Sequence, residues 1–232
     1  IGYSIGKVLK DSKRTAYIAV DTRKSGKKIS RLIAYGLLKS GTKPYNLGVL
    51  TTPSLSYIVS VKKPSFGIMI SASHNPPEYN GVKVIDNSGN KISPDAEKKI
   101  EKLMDEKKDI LDGKKNFSDF KKLDLVNLYT DYVVSLFKGI KPQKVVVDCS
   151  NGASYKIAPD IFKRLFFDFT LIGSKPDGNN INVDCGSLDT LLMRETVKNG
   201  DFFGGISYDG DGDRCIMCDE NGEIIDGDDI IM

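Results

Sequence analysis

Lys144-Val145-Val146-Val147-Asp148-Cys149 is a β-branched apolar run that breaks into the polar Ser150-Asn151-Gly152, and it reads as a strand. Working outward from it, strand and helix patterns alternate. A helical spacing follows over residues 155–165, a strand over 169–172, a helix over 188–198 and a strand over 202–207. That βαβαβ rhythm requires helical crossovers and hence a largely parallel sheet. The first half of the chain has the same grain. Strands are expected over residues 16–20, 45–50 and 66–71. Between them lies a helix over 25–39, with Ile29, Leu32, Ile33, Leu37 and Leu38 at helical spacing and Gly41 as its stop. A second helix opens at Pro53-Ser54 and runs to Ser60. A hairpin is expected over 82–92, turning at Asn87-Ser88-Gly89-Asn90, and Ser93-Pro94-Asp95 caps a further helix. Residues 112–125 are polar and weakly patterned, and a domain boundary is placed there. The chain is thus read as α/β, with two consecutive domains, 1–122 and 123–232, each a mixed, largely parallel sheet with helical crossovers. A helix over 127–137, a last hairpin over 215–225 and the start of a helix at 227–232 complete the second domain. No internal repeat is visible.

An apolar fraction of 40% and a charged fraction of 28% are those of a water-soluble globular chain. Against 31 acidic residues there are 34 basic ones, so no concentrated basic face speaks for nucleic acid. The lysines of 97–108 are interleaved with Glu97, Glu101, Asp105 and Glu106, the pattern of a solvated helix face. No apolar run approaches the roughly 20 residues of a membrane span, and no signal-peptide core precedes Arg14. The four cysteines, Cys149, Cys185, Cys215 and Cys218, are too few for a disulfide framework and fit a reducing cytoplasm. Cys215 and Cys218 have C-x-x-C spacing, but on a strand, where residues three apart point to opposite faces.

Two stretches carry chemistry. Asp209-Gly210-Asp211-Gly212-Asp213-Arg214 follows the last parallel strand, at the end of an α/β sheet where ligand crevices form. Three carboxylates separated only by glycine repel one another unless a hard cation sits among them, and oxygen ligands suit magnesium or calcium. Arg214 adds a planar fork for a phosphate. An EF-hand would place aspartates at positions one, three and five and glutamate at twelve, as Asp209, Asp211, Asp213 and Glu220 do, but it requires glycine where Arg214 stands and helices where strands are expected. The second stretch is Ser71-Ala72-Ser73-His74-Asn75-Pro76, at the end of the strand over 66–71. A plain Asn-Pro turn is one reading. A serine hydrolase is another, without the G-x-S-x-G elbow. A third makes one of the two serines a phosphoryl acceptor. Lys83, set among Val82, Val84 and Ile85, is placed to lose its proton if desolvated near cationic groups and so act as a base.

Three segments together resemble the α-D-phosphohexomutase superfamily. The run from Gly67 through Ser73-His74-Asn75-Pro76-Pro77-Glu78-Tyr79-Asn80-Gly81-Val82-Lys83 is similar to its phosphoserine loop, Asp209–Arg214 to its metal loop, and Asp21-Thr22-Arg23-Lys24-Ser25-Gly26 to its D-T-R-x-S-G segment. Val147–Ala153 and Asn180–Asp189 resemble the phosphoglucosamine mutase branch, whereas Pro77–Asn80 is similar to the phosphomannomutase/phosphoglucomutase branch. The resemblance implies that Ser73 carries the phosphoryl group. It implies Mg²⁺ on Asp209, Asp211, Asp213 and an oxygen on Ser73, Lys83 as general base, His74 as an aid to proton transfer or phosphate contact, and Arg214 and Arg23 near the phosphoryl group. It implies a sugar phosphate as substrate and a hexose bisphosphate as intermediate. The superfamily's E-x-S-G-H and R-x-S-G-T loops and its opening glycine- and arginine-containing segment are absent, so the chain is expected to be the first two domains of a longer enzyme and to be inactive alone. A metal- and phosphate-binding regulatory module without activity is the alternative from another class.

Overall fold

The computed structural model describes residues 1–106, 120–137, 139–225 and 227–231. The first half runs α1 (Gly2–Val8), β1 (Thr15–Val20), α2 (Gly26–Ser40), β2 (Lys43–Val49), α3 (Thr52–Lys62), β3 (Phe66–Ile70), β4 (Val82–Asp86) and α4 (Pro94–Glu106). The second runs α5 (Val126–Leu136), β5 (Lys144–Asp148), α6 (Ser154–Arg164), β6 (Asp168–Ile172), α7 (Leu191–Lys198), β7 (Gly204–Tyr208), β8 (Cys215–Cys218), β9 (Ile224–Ile225) and α8 (Gly227–Ile231). The two sheets are ordered β2-β1-β3-β4 and β6-β5-β7-β8-β9. In each, three strands are parallel and the next is antiparallel. The mixed α/β class read from the sequence is the class observed. The halves also share one topology, two helical crossovers followed by an antiparallel return, a repeat in connection that leaves no trace in the residues.

Each sheet is a middle layer. On β3 every residue is buried, with Phe66, Ile68 and Ile70 facing α1, α2 and α4, and Met69 facing the opposite side. That second cluster joins Leu55, Ile58 and Val59 of α3 to Leu128 and Tyr129 of α5 and Ile157 and Ile161 of α6. The apolar core of the first half therefore continues into the helices of the second. Most of the polar stretch 112–125 lies outside the described residues. At its end, Leu123 N–H donates to Asn46 O at 2.9 Å, so this segment is bonded to β2.

Local chemistry sets the boundaries. Gly41 closes α2, and the Thr51 hydroxyl caps α3 by accepting from Ser54 N at 3.3 Å, with Pro53 in the first turn, where its missing N–H interrupts no helix bond. α7 begins at Leu191, later than residue 188: Asp189 N–H closes a turn on Gly186 O, and helical bonding starts with Arg194 N–H to Thr190 O. The hairpin expected over 82–92 is reduced to β4 and a single bridge between Ile85 and Lys91. The four cysteines are free; Cys218 is buried in the core beside Met193 while Cys215 is exposed, which separates the C-x-x-C pair. No helix among the described residues is long and apolar enough to cross a membrane.

Phe66 is fully buried at the centre of the first sheet. Phe66→Ala should cost about 3–5 kcal/mol, read as a lowered urea midpoint without loss of a single cooperative transition.

Candidate active site

The shared topology places two loops at equivalent positions. Residues 71–81 connect β3 to β4, and residues 209–214 connect β7 to β8. Both leave the carboxyl end of a parallel strand and return antiparallel. The acidic loop is therefore the turn of a β-hairpin, with no flanking helices, and the EF-hand reading falls.

In the first loop, Ser71 N–H donates to Gly81 O at 3.1 Å and closes the neck. Ser71 is buried, and its hydroxyl is committed, accepting from Ser73 N at 2.8 Å and bonding the Asp21 carboxylate. Ser73 takes a left-handed backbone, φ 53°, and its Oγ leaves the loop to donate to Asp209 Oδ2 at 2.6 Å. Sequence alone left the two serines equal; the geometry brings Ser73, and not Ser71, to the carboxylates.

Asp209 and Asp211 are fully buried. Asp209 Oδ1 accepts from Asp213 N and Arg214 N at 3.1 and 3.2 Å, which curls the loop around its own first residue. A Cβ on Gly210 would lie 2.6 Å from Ser73 O, so the two loops touch backbone to backbone only because this residue has no side chain. Gly212, at φ 66°, makes the turn that brings Asp213 back beside Asp211. One oxygen from each of the three aspartates falls within 4.8 Å of the others.

Cations surround this cluster. Arg214 Nη2 donates to Asp209 Oδ2 at 3.0 Å, and the same nitrogen lies against Ser73 Oγ and His74 Nδ1. Lys83 Nζ donates to Asp211 Oδ2 at 2.6 Å and to Asp213 Oδ2 at 2.8 Å. Burial of Lys83 disfavours its charge, but the bonds and charges of Asp211 and Asp213 outweigh that and hold its pKa above the ordinary lysine value. The sequence reading made Lys83 a base if desolvated near cationic groups; in this arrangement its neighbours are two carboxylates, which favour the ammonium. Burial also raises the Asp209 carboxyl above its usual range, with Asp211 and Asp213 adding to the rise and Ser73 and Arg214 opposing it.

Arg23, expected near the phosphoryl group, bonds the backbone of the serine loop. It is buried beneath the serine loop, with Nε on Asp21 Oδ2 at 2.9 Å, Nη1 on the carbonyls of Pro76 and Tyr79, and Nη2 on those of Ser73 and Asn75. Its five N–H groups are all spent on protein, so as placed it has no donor for a phosphoryl group and instead fixes the loop's shape. Two residues escaped the sequence reading. Thr52 donates from its hydroxyl to Asp211 Oδ2 and from its backbone to Asp211 O at 2.9 Å, and Asn182 bonds the serine loop from the second half. For Asn182 the available signal was its place in the quoted Asn180–Asp189 run.

The triad fits a hard cation. Asp211 Oδ1 is the one buried side-chain polar atom without a hydrogen-bond partner among the described residues. A buried carboxylate oxygen with no donor is costly, and a cation held by the three aspartates would relieve that cost.

The descriptions of two α/β/α domains of the phosphoglucomutase/phosphomannomutase family match in succession, domain I over residues 1–110 and domain II over residues 127–222. The chain belongs to the α-D-phosphohexomutase superfamily. Among phosphohexomutases, the phosphoglucosamine mutase of Caldicellulosiruptor bescii is 42% identical over 221 residues, covering 93% of this chain and 49% of its own. A phosphoglucomutase/phosphomannomutase family protein from Burkholderia thailandensis superposes with a TM-score of 0.79 at 26% identity, covering 97% of this chain and 51% of its own. In fold alone the chain is also similar to an N-acetylphosphoglucosamine mutase from Aspergillus fumigatus, solved with GlcNAc-6P and magnesium, at a TM-score of 0.56 and 16% identity over 94% of this chain and 37% of that one. The chain spans about half the length of the curated phosphohexomutases it matches.

The raised Asp209 pKa has a sign. Where a folded carboxyl binds its proton more tightly than the unfolded one, stability falls as pH rises through the interval between the two values. A divalent cation binds the deprotonated triad and reverses that loss. Mg²⁺ should therefore raise the thermal midpoint at about pH 7 and lose its effect as the pH is brought to about 4, measured in paired melts with and without the ion.

Proposed function

We propose that the chain forms the phosphoserine- and metal-bearing part of a phosphohexomutase that interconverts a hexose 6-phosphate and its 1-phosphate, with glucosamine phosphate as the preferred sugar. One observation carries the reading: Ser73 Oγ, 136 residues from Asp209, is delivered to within 2.6 Å of the acidic triad. An isolated structural turn has no use for that approach. The phosphoglucosamine mutases among the relatives support the choice of sugar. The Pro77–Asn80 segment favours the phosphomannomutase/phosphoglucomutase branch as the second reading.

In this reading phosphorylated Ser73 gives its phosphoryl group to the free hydroxyl of a sugar phosphate. The serine P–O bond breaks, a sugar P–O bond forms, and the hydroxyl proton leaves to a base. The bisphosphorylated sugar then returns its other phosphate to Ser73 Oγ. Asp209, Asp211 and Asp213, with an oxygen on Ser73, would hold Mg²⁺, which would supply positive charge against that of the group in transfer. Arg214, already on Ser73 Oγ, contributes a second positive group there. Lys83 would serve as the base only in its neutral form, after its own proton has left to solvent, and would then take the hydroxyl proton. His74 orients the Arg214 guanidinium through Nδ1. Arg23 serves the reaction by holding the loop.

Free thiols and the charge-balanced composition support a cytoplasmic setting. Phosphoryl transfer depends mainly on positioning and charge neutralisation. Positioning supplies roughly 7–11 kcal/mol of a catalysed barrier, and no sugar-reading E-x-S-G-H loop lies in this chain. The 232 residues alone should therefore take up phosphate and yet turn over hexosamine phosphates poorly. Intact mass after incubation with glucosamine 1,6-bisphosphate and Mg²⁺ should rise by one phosphate mapped to Ser73, and Ser73→Ala should abolish the gain. Persistent absence of phosphate on the parent would favour a regulatory module, and ordinary turnover by the isolated chain would refute the expected inactivity. Assays of the full-length polypeptide on glucosamine, glucose and mannose phosphates decide the branch.

A further inference from the structure

We infer that Asn182 is a positioning residue for Ser73, acting across the junction of the two halves; the inference rests on the phosphoserine reading above. The left-handed backbone of Ser73 is unfavourable for a residue with a side chain and persists only where its surroundings determine it several times over. Those surroundings are unusual. Ser73 O accepts from Arg23 Nη2 at 2.9 Å and from Asn182 Nδ2 at 2.9 Å. Asn75 O accepts from the same two nitrogens, at 2.8 and 3.1 Å. Two carbonyls are thus held by two donors in a closed square, with Arg23 reaching from the first half and Asn182 from the second. Both lone-pair directions of each carbonyl are used.

Asn182 is itself held in place. Its backbone is left-handed, φ 58°, its N–H donates to Ser150 O at 2.9 Å, and the preceding Ile181 is fully buried. The metal loop closes against the same point, since a Cβ on Gly210 would fall 2.6 Å from Ser73 O and 3.0 Å from Asn182 Nδ2. The segment 21–24 adds a further tie with a period of two. Asp21 and Arg23 turn to the serine loop, while Thr22 Oγ1 donates to Asn151 O at 2.6 Å and Lys24 N to Gly178 O at 2.9 Å. One strand end therefore grips both the serine loop and the second-half loop that carries Asn182, and Asn182 completes the circuit. Its carboxamide touches the carbonyl of the reacting residue and never the reacting oxygen, so its effect passes through the placement of Ser73 Oγ relative to the triad.

The test uses the full-length polypeptide with Asn182→Gly and Asn182→Asp. Glycine keeps the left-handed backbone without strain and removes both hydrogen bonds. Aspartate keeps the shape and sets acceptors against the two carbonyls. The rate of phosphoryl uptake on Ser73 from glucosamine 1,6-bisphosphate, per folded molecule, should fall about ten- to a hundredfold in both. In Asn182→Gly the thermal midpoint and Mg²⁺ affinity should stay at the parent's values, and the mutase defect should lie in kcat with KM unchanged. Uptake at the parent's rate in either variant overturns the inference. So does a rate loss that merely tracks the unfolded fraction, or one that lies in KM alone. If the parent itself takes no phosphate on Ser73, the phosphoserine reading fails, and that outcome is separate because it is seen before any variant is compared.

Discussion

Two carboxylates, Asp209 and Asp211, are fully buried within one turn of each other, with Asp213 closing over them. Like charges taken out of water in this way are costly, and each oxygen left without a partner adds to that cost. Asp209 is answered by four donors from its own loop and by Ser73. Asp211 is answered at Oδ2 by Lys83 and Thr52 and at Oδ1 by nothing. The rest of the site follows from that constraint. The serine hydroxyl, the lysine and the arginine that the chemistry needs are the groups that make the charge cluster bearable. The serine and lysine contacts also tie the first half of the chain to the second.

The fold was largely legible because its signal is local. The apolar runs of β1, β3 and β5 and the helical spacing of α2 can be read residue by residue, and Gly41 and Ser93-Pro94 mark boundaries by their own backbone preferences. The start of α7 was missed by a few residues because residues 186–189 form a turn, with Asp189 N–H on Gly186 O, that spacing alone does not show. The metal loop was legible for a different reason: alternating aspartate and glycine has few other physical solutions.

What could not be read was allegiance over distance. Arg23 resembles a phosphate ligand in one dimension, and only the folded loop reveals five acceptors closed around it. Ser71 and Ser73 are chemically identical in the sequence and opposite in the fold, one turned inward to Asp21 and one outward to Asp209. Lys83 sits among valines in its strand, yet the partners that set its charge come from 128 and 130 residues away. Asn182 left only its place in a quoted run.

The apolar cluster that α3 shares with α5 and α6 bears on how the site can move. A hinge between two lobes works when the surface between them is small and wet. Here the seam beside the two loops is filled by leucine, isoleucine and tyrosine side chains, so rotating one lobe away from the other would expose oil to water before it parted Ser73 from Asp209. Packing that takes no part in the chemistry therefore opposes any motion that would part the serine from the carboxylates.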